Sequence, residues 1–495
     1  MTKQKFLLQG ILLTAFSLFL RVANIGYRSY LSAKIGAEGM GLYQLIFSVF
    51  MLAVTLSTSG ISLAVTRMVT AAIAALLLVF SDFAAAAILG YKGAAGSLRI
   101  LALGLPFMSL CTCMKGYFLA VDESLSTAMS DAVEQVLTIL AAVALFWYFA
   151  PQSIEAACLA AMLASTFGEA VSFLSGWIAY RRSLRRNTPK TVEPGRGVLH
   201  GMFHIAVPCT LSSAARSLLS TGENLLIPRE LRRYGLSEAQ SMAAYGLLQG
   251  MAMPMLYFPS SFLSSFASLL IPRIAREFEQ KHRRAVAHIT ETAVGAALQF
   301  GVFCAAVFFV FGEDWGTAFY SSAKAGGYLR ILAPLVPLLY LDVVVDSLLK
   351  GLDEQLNSMK YNFTDSLIRV LLILCFMRFS GMPAYIAILF FSSIFNAMMS
   401  VRRLLKVAQV RIRVVKNAVL PAACALLSAG IARAALAPLA LSGIPRVLLQ
   451  AAAAAVFFLA MRTLFEAAFQ KLDGRKAAAP KGDGRLTVPE KTISP

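Results

Sequence analysis

The sequence predicts an all-α integral membrane protein of about fourteen transmembrane helices, built as two six-helix lobes in parallel repeat followed by two further helices. Three observations predict it. Hydrophobic residues fill 58% of the 495 positions and charged ones only 14%, too little polar surface to coat a water-soluble globule of that length. Apolar runs of about 20 residues, enough to cross about 30 Å of hydrocarbon, recur along nearly the whole chain. Leu98-Arg99-Ile100-Leu101-Ala102 returns letter for letter as Leu329-Arg330-Ile331-Leu332-Ala333, so an internal duplication underlies those runs.

Arg330 lies 231 positions beyond Arg99, and the same offset matches Pro106 with Pro337, Leu110 with Leu341, Asp122-Glu123 with Asp353-Glu354 and Leu125 with Leu356. Apolar identities arise by chance in a Leu/Ala-rich chain, so the proline and the Asp-Glu pair carry the weight. An even number of helices per copy orients both copies alike, which places an axis along the membrane normal and a substrate path between the lobes.

In the first lobe, residues 1–180, the spans fall at about 6–30, 40–66, 69–90, 97–120, 127–149 and 154–179. The first follows Lys3 and Lys5, contains Arg21 and ends without a clean small-residue cleavage site, so it reads as a retained helix and not a secretory signal. The third is the weak one. Arg67 to Arg99 covers 32 residues, whereas Arg273 to Arg330 covers 57, so the first lobe lacks about 25 residues of loop and early third helix. From Thr70 to Gly90 about one minimal span remains, interrupted by Asp82, and a short, tilted or incompletely inserted helix is expected there.

A basic linker at 181–199 leads into the second lobe, residues 200–407, with spans at about 200–226, 240–271, 286–311, 326–349, 357–379 and 383–401. Two more spans, about 417–436 and 446–468, occupy the segment 408–470, and 471–495 reads as a disordered cytoplasmic tail. Arg181, Arg182, Arg185, Arg186, Lys190 and Arg196 crowd the linker, and Arg402, Arg403, Lys406, Arg411, Arg413 and Lys416 crowd 402–416. The positive-inside rule makes these loops cytoplasmic and puts both termini inside. The net charge of +19 then reflects attraction to anionic headgroups rather than nucleic-acid binding.

The seven cysteines lie in or beside apolar spans, and neither they nor the four histidines have metal or nucleophile spacing. No catalytic constellation is visible, so transport is expected and not catalysis, with no cofactor beyond Na+ or H+ coupling.

The runs Leu20-Arg21 through Tyr27-Arg28 and Gly36-Ala37-Glu38-Gly39-Met40-Gly41-Leu42-Tyr43-Gln44-Leu45 resemble the opening of the stage V sporulation protein B group of polysaccharide biosynthesis proteins. Further matches are Lys115-Gly116-Tyr117-Phe118, Val133-Glu134-Gln135-Val136, Leu225-Leu226-Ile227-Pro228-Arg229 and Ala267-Ser268-Leu269-Leu270-Ile271-Pro272. That group belongs to the multidrug/oligosaccharidyl-lipid/polysaccharide (MOP) exporter superfamily, close to the lipid II flippases. The resemblance implies a MATE/MOP-like fold and a monomeric flippase of the bacterial cytoplasmic membrane. The implied cargo is an undecaprenyl-pyrophosphate-linked sugar, such as a peptidoglycan precursor, and the candidate partners are cell-wall synthesis proteins. Gly41 to Gln44 lacks the acid that lipid II flippases carry near the start of the second helix.

A pyrophosphate calls for arginine, whose planar fork donates to phosphate oxygens and keeps its charge. Arg21 and Arg28 lie two turns apart on one face of the first helix with Asn24 between them. Arg21 is a cavity candidate because an intramembrane arginine is costly unless it faces water or a bundle interior. Arg28 either contacts substrate, as the resemblance implies, or snorkels to the surface. Arg216 is a second substrate cation or a partner for a buried acid, and Arg67 and Arg273, at equivalent ends of the second and eighth spans, either greet the headgroup or anchor the helices. Glu223, Asn362, Asp365 and Asn396 are hard oxygen ligands that could converge as a cation site resembling the sodium site of some lipid II flippases. An Asp365–Arg369 pair at i,i+4 competes with that reading. Asp342, Asp346, Glu134 and Glu169 stand unassigned in apolar spans. A drug exporter of the same superfamily and a non-transporting assembly protein with an incomplete first lobe are the alternatives.

Overall fold

The computed structural model describes residues 3–58, 63–121, 123–187, 198–410, 415–439 and 442–478, and every regular element among them is a helix. In chain order we number α1 (Lys3–Thr58), α2 (Leu63–Val79), α3 (Ala95–Ala120), α4 (Ser124–Phe149), α5 (Ile154–Asn187), α6 (Val198–Arg233), α7 (Glu238–Tyr257), α8 (Ser260–Glu279), α9 (Arg283–Tyr320), α10 (Ala323–Gly351), α11 (Gln355–Ala408), α12 (Leu420–Leu436) and α13 (Gly443–Ala478). Among the described residues nine helices are long and apolar enough to span a membrane, and two bent pairs raise that to eleven.

Two expected loops between spans are kinks in continuous helices. Gly36 (φ 67°) divides α1 into two arms, and Gly381 (φ 61°) divides α11. Glycine suits both positions because an L side chain is strained at positive φ. Counting the arms separately would add two to the eleven, short of the fourteen expected.

The weak third span is indeed broken. Val69–Val79 meets Ser81–Leu89 at 63°, and the polar step Ser81-Asp82 sits at the bend, held by Arg99, whose Nε donates to Ser81 Oγ (2.8 Å) and Nη2 to Asp82 Oδ2 (2.5 Å). The single span expected at 240–271 is also broken. α7 and α8 meet at 51° around Phe258-Pro259, where proline removes a backbone donor.

The repeat is written in the backbone as well as in the letters. At the offset of 231, left-handed Gly90 (φ 68°) matches left-handed Ser321 (φ 51°), and Ala150 (φ 37°) matches Gly381. Leu98, Leu101 and Ala102 are buried, as are Leu329, Leu332 and Ala333. Each copy's arginine reaches an acid on the preceding helix, Arg99 to Asp82 (2.5 Å) and Arg330 to Glu313 (3.6 Å). Asp82 and Glu313 are themselves 231 apart, so the missing residues lie before Asp82, in the first part of the third span.

In the first lobe α3, α4 and α5 pack on one another and on α1, and in the second α8, α9, α10 and α11 form the corresponding bundle. α6 packs along α11 and also touches α1. The last two helices lean on α9, where Arg433 donates to the Val310 carbonyl (3.0 Å) and Gln450 to Asp314 (3.1 Å).

Two boundaries need correction. α5 runs on to Asn187, so the linker expected from 181 begins as helix. α13 runs on to Ala478, where a tail was expected from 471, because Ala, Leu, Lys and Arg propagate a helix once it has begun.

Candidate functional site

The lobes meet closely at one end, beside the Gly36 kink. A Cβ on Gly41 would stand 2.1 Å from the Met242 carbonyl oxygen, and one on Gly246 would stand 2.0 Å from the Ala37 oxygen and 2.5 Å from Gly41 N. Only glycine on both α1 and α7 allows their backbones so near. Polar contacts follow the seam: Arg232 donates to the Gly90 carbonyl (3.2 Å), Thr221 to the Ser48 carbonyl (3.2 Å), and Ser29 to the Phe319 carbonyl. At this end a cavity of about 570 Å³ is lined by both lobes, with Glu38, Tyr91, Lys92 and Glu155 on one side and Glu238 on the other. Burial, reinforced by Glu155, Glu38 and Glu238, pushes the Tyr91 hydroxyl above its ordinary pKa.

The first-helix face expected to carry substrate contacts forms as a unit. Arg28 Nε donates to Asn24 Oδ1 (3.2 Å), and its Nη1 reaches both Gln44 Oε1 and the Gly250 carbonyl at 3.4 Å. Arg28 therefore joins the lobes. Arg21 and Asn24 are exposed, and Arg21 makes no ion pair or hydrogen bond with the described residues.

A second cavity, about 180 Å³, opens inside the second lobe between α6, α7, α10 and α11. Arg216, Asp342, Asn362, Asp365, Arg369 and Asn396 line it. Three of the four residues expected to converge are thus on its wall, and Glu223 lies just behind, joined through Arg369. Arg369 Nη1 is 3.4 Å from Glu223 Oε1 and its Nη2 is 2.6 Å from Asp365 Oδ2. Tyr385 donates to Glu223 (3.1 Å) and Ser392 to Asp365 (2.5 Å). Asn396 turns away from that pair and donates to Asp342 (3.0 Å) and Asn362 (3.3 Å). Arg216 has no hydrogen bond or ion pair within the described residues.

Of the remaining candidates, Arg273 on α8 is exposed, and the side chain of Arg67 lies outside the described residues. Asp346 pairs with Lys350 (2.6 Å). Lys115 binds Asp131 (2.5 Å) and stands 3.9 Å from Glu134, whose neighbour across α5 is Glu169. Sequence reasoning missed Arg369 as the hub, Tyr385 and Gln249 as its supports, and the acidic end chamber. Arg369 was signalled only as a partner of Asp365, and nothing in the letters ties Glu38 and Glu155 to Glu238.

Among the described residues no group of His, Cys, Asp and Glu has the geometry of a metal site. Among the described residues, polar groups line cavities at the seam between the lobes and inside the second lobe.

Family models match in two overlapping stretches: Polysaccharide biosynthesis protein over residues 66–278 and MatE over 233–375. Stage V sporulation protein B of Bacillus subtilis (strain 168) is 26% identical over 403 residues, covering 75% of this chain and 78% of that protein. Sporulation protein YkvU of the same organism is 21% identical over 345 residues, covering 66% and 77%. In fold the chain is similar to the lipid II flippase MurJ in an inward closed conformation, with a TM-score of 0.69 at 14% identity over 93% of this chain and 99% of that one. It is also similar to a multidrug resistance MATE family transporter in its inward-facing conformation, with a TM-score of 0.55 at 13% identity over 80% and 95%. By sequence similarity and by fold together, this chain is a multi-pass membrane protein similar to stage V sporulation protein B, with the fold shared by the lipid II flippase MurJ and a MATE family transporter.

Proposed function

We propose that the protein flips a polyprenyl-pyrophosphate-linked sugar across the bacterial cytoplasmic membrane by alternating access, in the service of cell-envelope or spore-cortex assembly. The observation that carries this reading is the polar face of α1: Arg21 and Asn24 stand exposed, and Arg28, on the same face, reaches across to the second lobe. An anionic headgroup held there would lie where the lobes must part. Arg216, which shares the second-lobe cavity with Asp342 and forms no ion pair among the described residues, offers a second cation from the second lobe. The isoprenoid tail would remain in lipid.

With the basic loops inside, the glycine-packed end faces outward, and the conformation described is closed on that side. Cargo then loads from the inner leaflet. An ion gradient or the membrane potential drives the cycle, through the second-lobe carboxylates.

The test is flipping of a fluorescent undecaprenyl-pyrophosphoryl sugar in proteoliposomes, scored by quenching from outside. Wild-type protein should flip it, and Arg21→Ala and Arg216→Ala should lower the rate at least tenfold with the fold intact. Equal rates in all three would remove the arginines from the path. No flipping of any polyprenyl-linked sugar would favour the assembly-protein reading, which the 63° break in the third span supports.

A further inference from the structure

Glu223 and Asp365 sit on different helices, α6 and the first arm of α11, and both are buried, with 8% and 4% of their surface exposed. Two carboxylates that share a low-dielectric interior repel strongly unless a cation lies between them. The surrounding donor set is a cage of oxygens: Ser392 on Asp365, Tyr385 on Glu223, and the carboxylate and amides of Asp342, Asn362 and Asn396 nearby. Oxygen donors are the ligands that hard cations take, and carboxylates equally accept hydrogen bonds from an organic cation.

In this chain the place is taken. The Arg369 guanidinium extends one nitrogen to each acid. It cannot lose its charge, and its tether to Asp365 one turn earlier on the same helix keeps it from leaving. Gln249 from α7 donates to Tyr385 (2.8 Å), so three helices are fastened through one fork. Among the described residues Nε is buried without a partner, so the attachments seen are those of the two terminal nitrogens. A lysine has three donors on one nitrogen and lacks the planar fork that sets one nitrogen against each acid.

We propose that Arg369 is a resident counter-cation, which completes the Glu223–Asp365 junction without a soluble metal ion. The second lobe is then indifferent to sodium in the native protein, and removal of the guanidinium leaves a vacancy that sodium or lithium can fill. Among the soluble cations that remains true whichever cargo is carried, so the inference stands apart from the flipping assay. Coupling at this lobe falls to protons or to the membrane potential.

The test is thermal unfolding of the full chain in nanodiscs, followed by intrinsic fluorescence in NaCl, LiCl and choline chloride at equal ionic strength. Wild-type Tm should be the same in all three salts. Arg369→Ala should melt several degrees lower in choline and recover with a saturable dependence on Na+ or Li+, or on low-millimolar guanidinium, which a role in packing alone does not produce. Arg369→Lys should melt between the two. A saturable rise of wild-type Tm with Na+ overturns the proposal, as does an Arg369→Ala protein equally unstable in every salt. Should that variant fail to accumulate, the wild-type salt series and the double variant Glu223→Gln/Arg369→Gln decide: with one acid neutralised, the double variant should fold and show no preference for sodium, and a sodium preference in it refutes the assignment.

Discussion

Alanine in place of Gly246 should pry the lobes apart at their closed end. Its Cβ would lie 2.0 Å from the Ala37 carbonyl oxygen, 2.5 Å from Gly41 N and 3.0 Å from Gly41 Cα, all backbone atoms that cannot rotate aside. Relief requires α1 and α7 to separate by roughly 1 Å, and overpacking of this kind costs about 1–3 kcal/mol. That cost falls only on the conformation in which the helices touch, so the population of the closed end should fall about 5–150-fold relative to the open one. The helix-propensity gain of alanine over glycine, about 1 kcal/mol, applies in both conformations and leaves the ratio unchanged. Spin labels on the exposed Gln152 and Gln240, in a background freed of native cysteines, report the separation by double electron–electron resonance. Gly222→Ala is the control, since a Cβ there meets nothing within 4 Å. A Gly246→Ala distance distribution that superimposes on wild type, or a Gly222→Ala shift of equal size, would refute the steric argument.

Arg28→Ala removes the contacts to Asn24, Gln44 and the Gly250 carbonyl; it should weaken the closed end by about 1–2 kcal/mol, read as a longer label separation than in Arg28→Gln. Arg99→Ala loses an ion pair whose side chains are 50% and 72% exposed, so its effect on Tm should stay near that of a surface pair, under about 1 kcal/mol; a larger fall would mean that the bend in the third span depends on that arginine. Glu354, between α10 and α11, accepts two hydrogen bonds from Arg403 (3.0 and 2.7 Å), which hold its carboxyl below the ordinary glutamate pKa. A depressed folded pKa stabilises fully above the unfolded value near 4.5 and is lost as pH falls through the folded one. The Tm gap between wild type and Glu354→Gln should therefore be constant from neutral pH to about 5 and close below the ordinary glutamate range; a gap that closes between pH 7 and 6 would contradict the assignment.

Much of this was legible in the letters because the membrane imposes a simple rule. Every span must satisfy its backbone internally and face lipid with apolar side chains, so composition and run length reveal helices without any knowledge of packing. The duplicated pentapeptide served as a ruler, and the backbone agrees with it at Gly90 and Ser321 and at Ala150 and Gly381. Charges resisted the same treatment. Asp365 and Arg369 are one turn apart and could be paired by counting, whereas Glu223 joins them from 146 positions away. Whether that distance closes depends on how α6 lies along α11, and no local pattern encodes a crossing of two helices.

The breaks show the same division. A shortage near the third span followed from comparing the two copies, but its outcome as a 63° bend, with Ser81 and Asp82 bonded to Arg99 of the next helix, depended on how the helices pack. Hydropathy and spacing were enough to establish a duplicated helical membrane protein with arginines along one face of its first helix, because each of those properties is local and periodic. Folding alone settled which end the glycines of α1 and α7 close, and which cation stands between Glu223 and Asp365. Both are contacts between segments far apart in the chain, decided by the few tenths of an ångström at which whole helices pack.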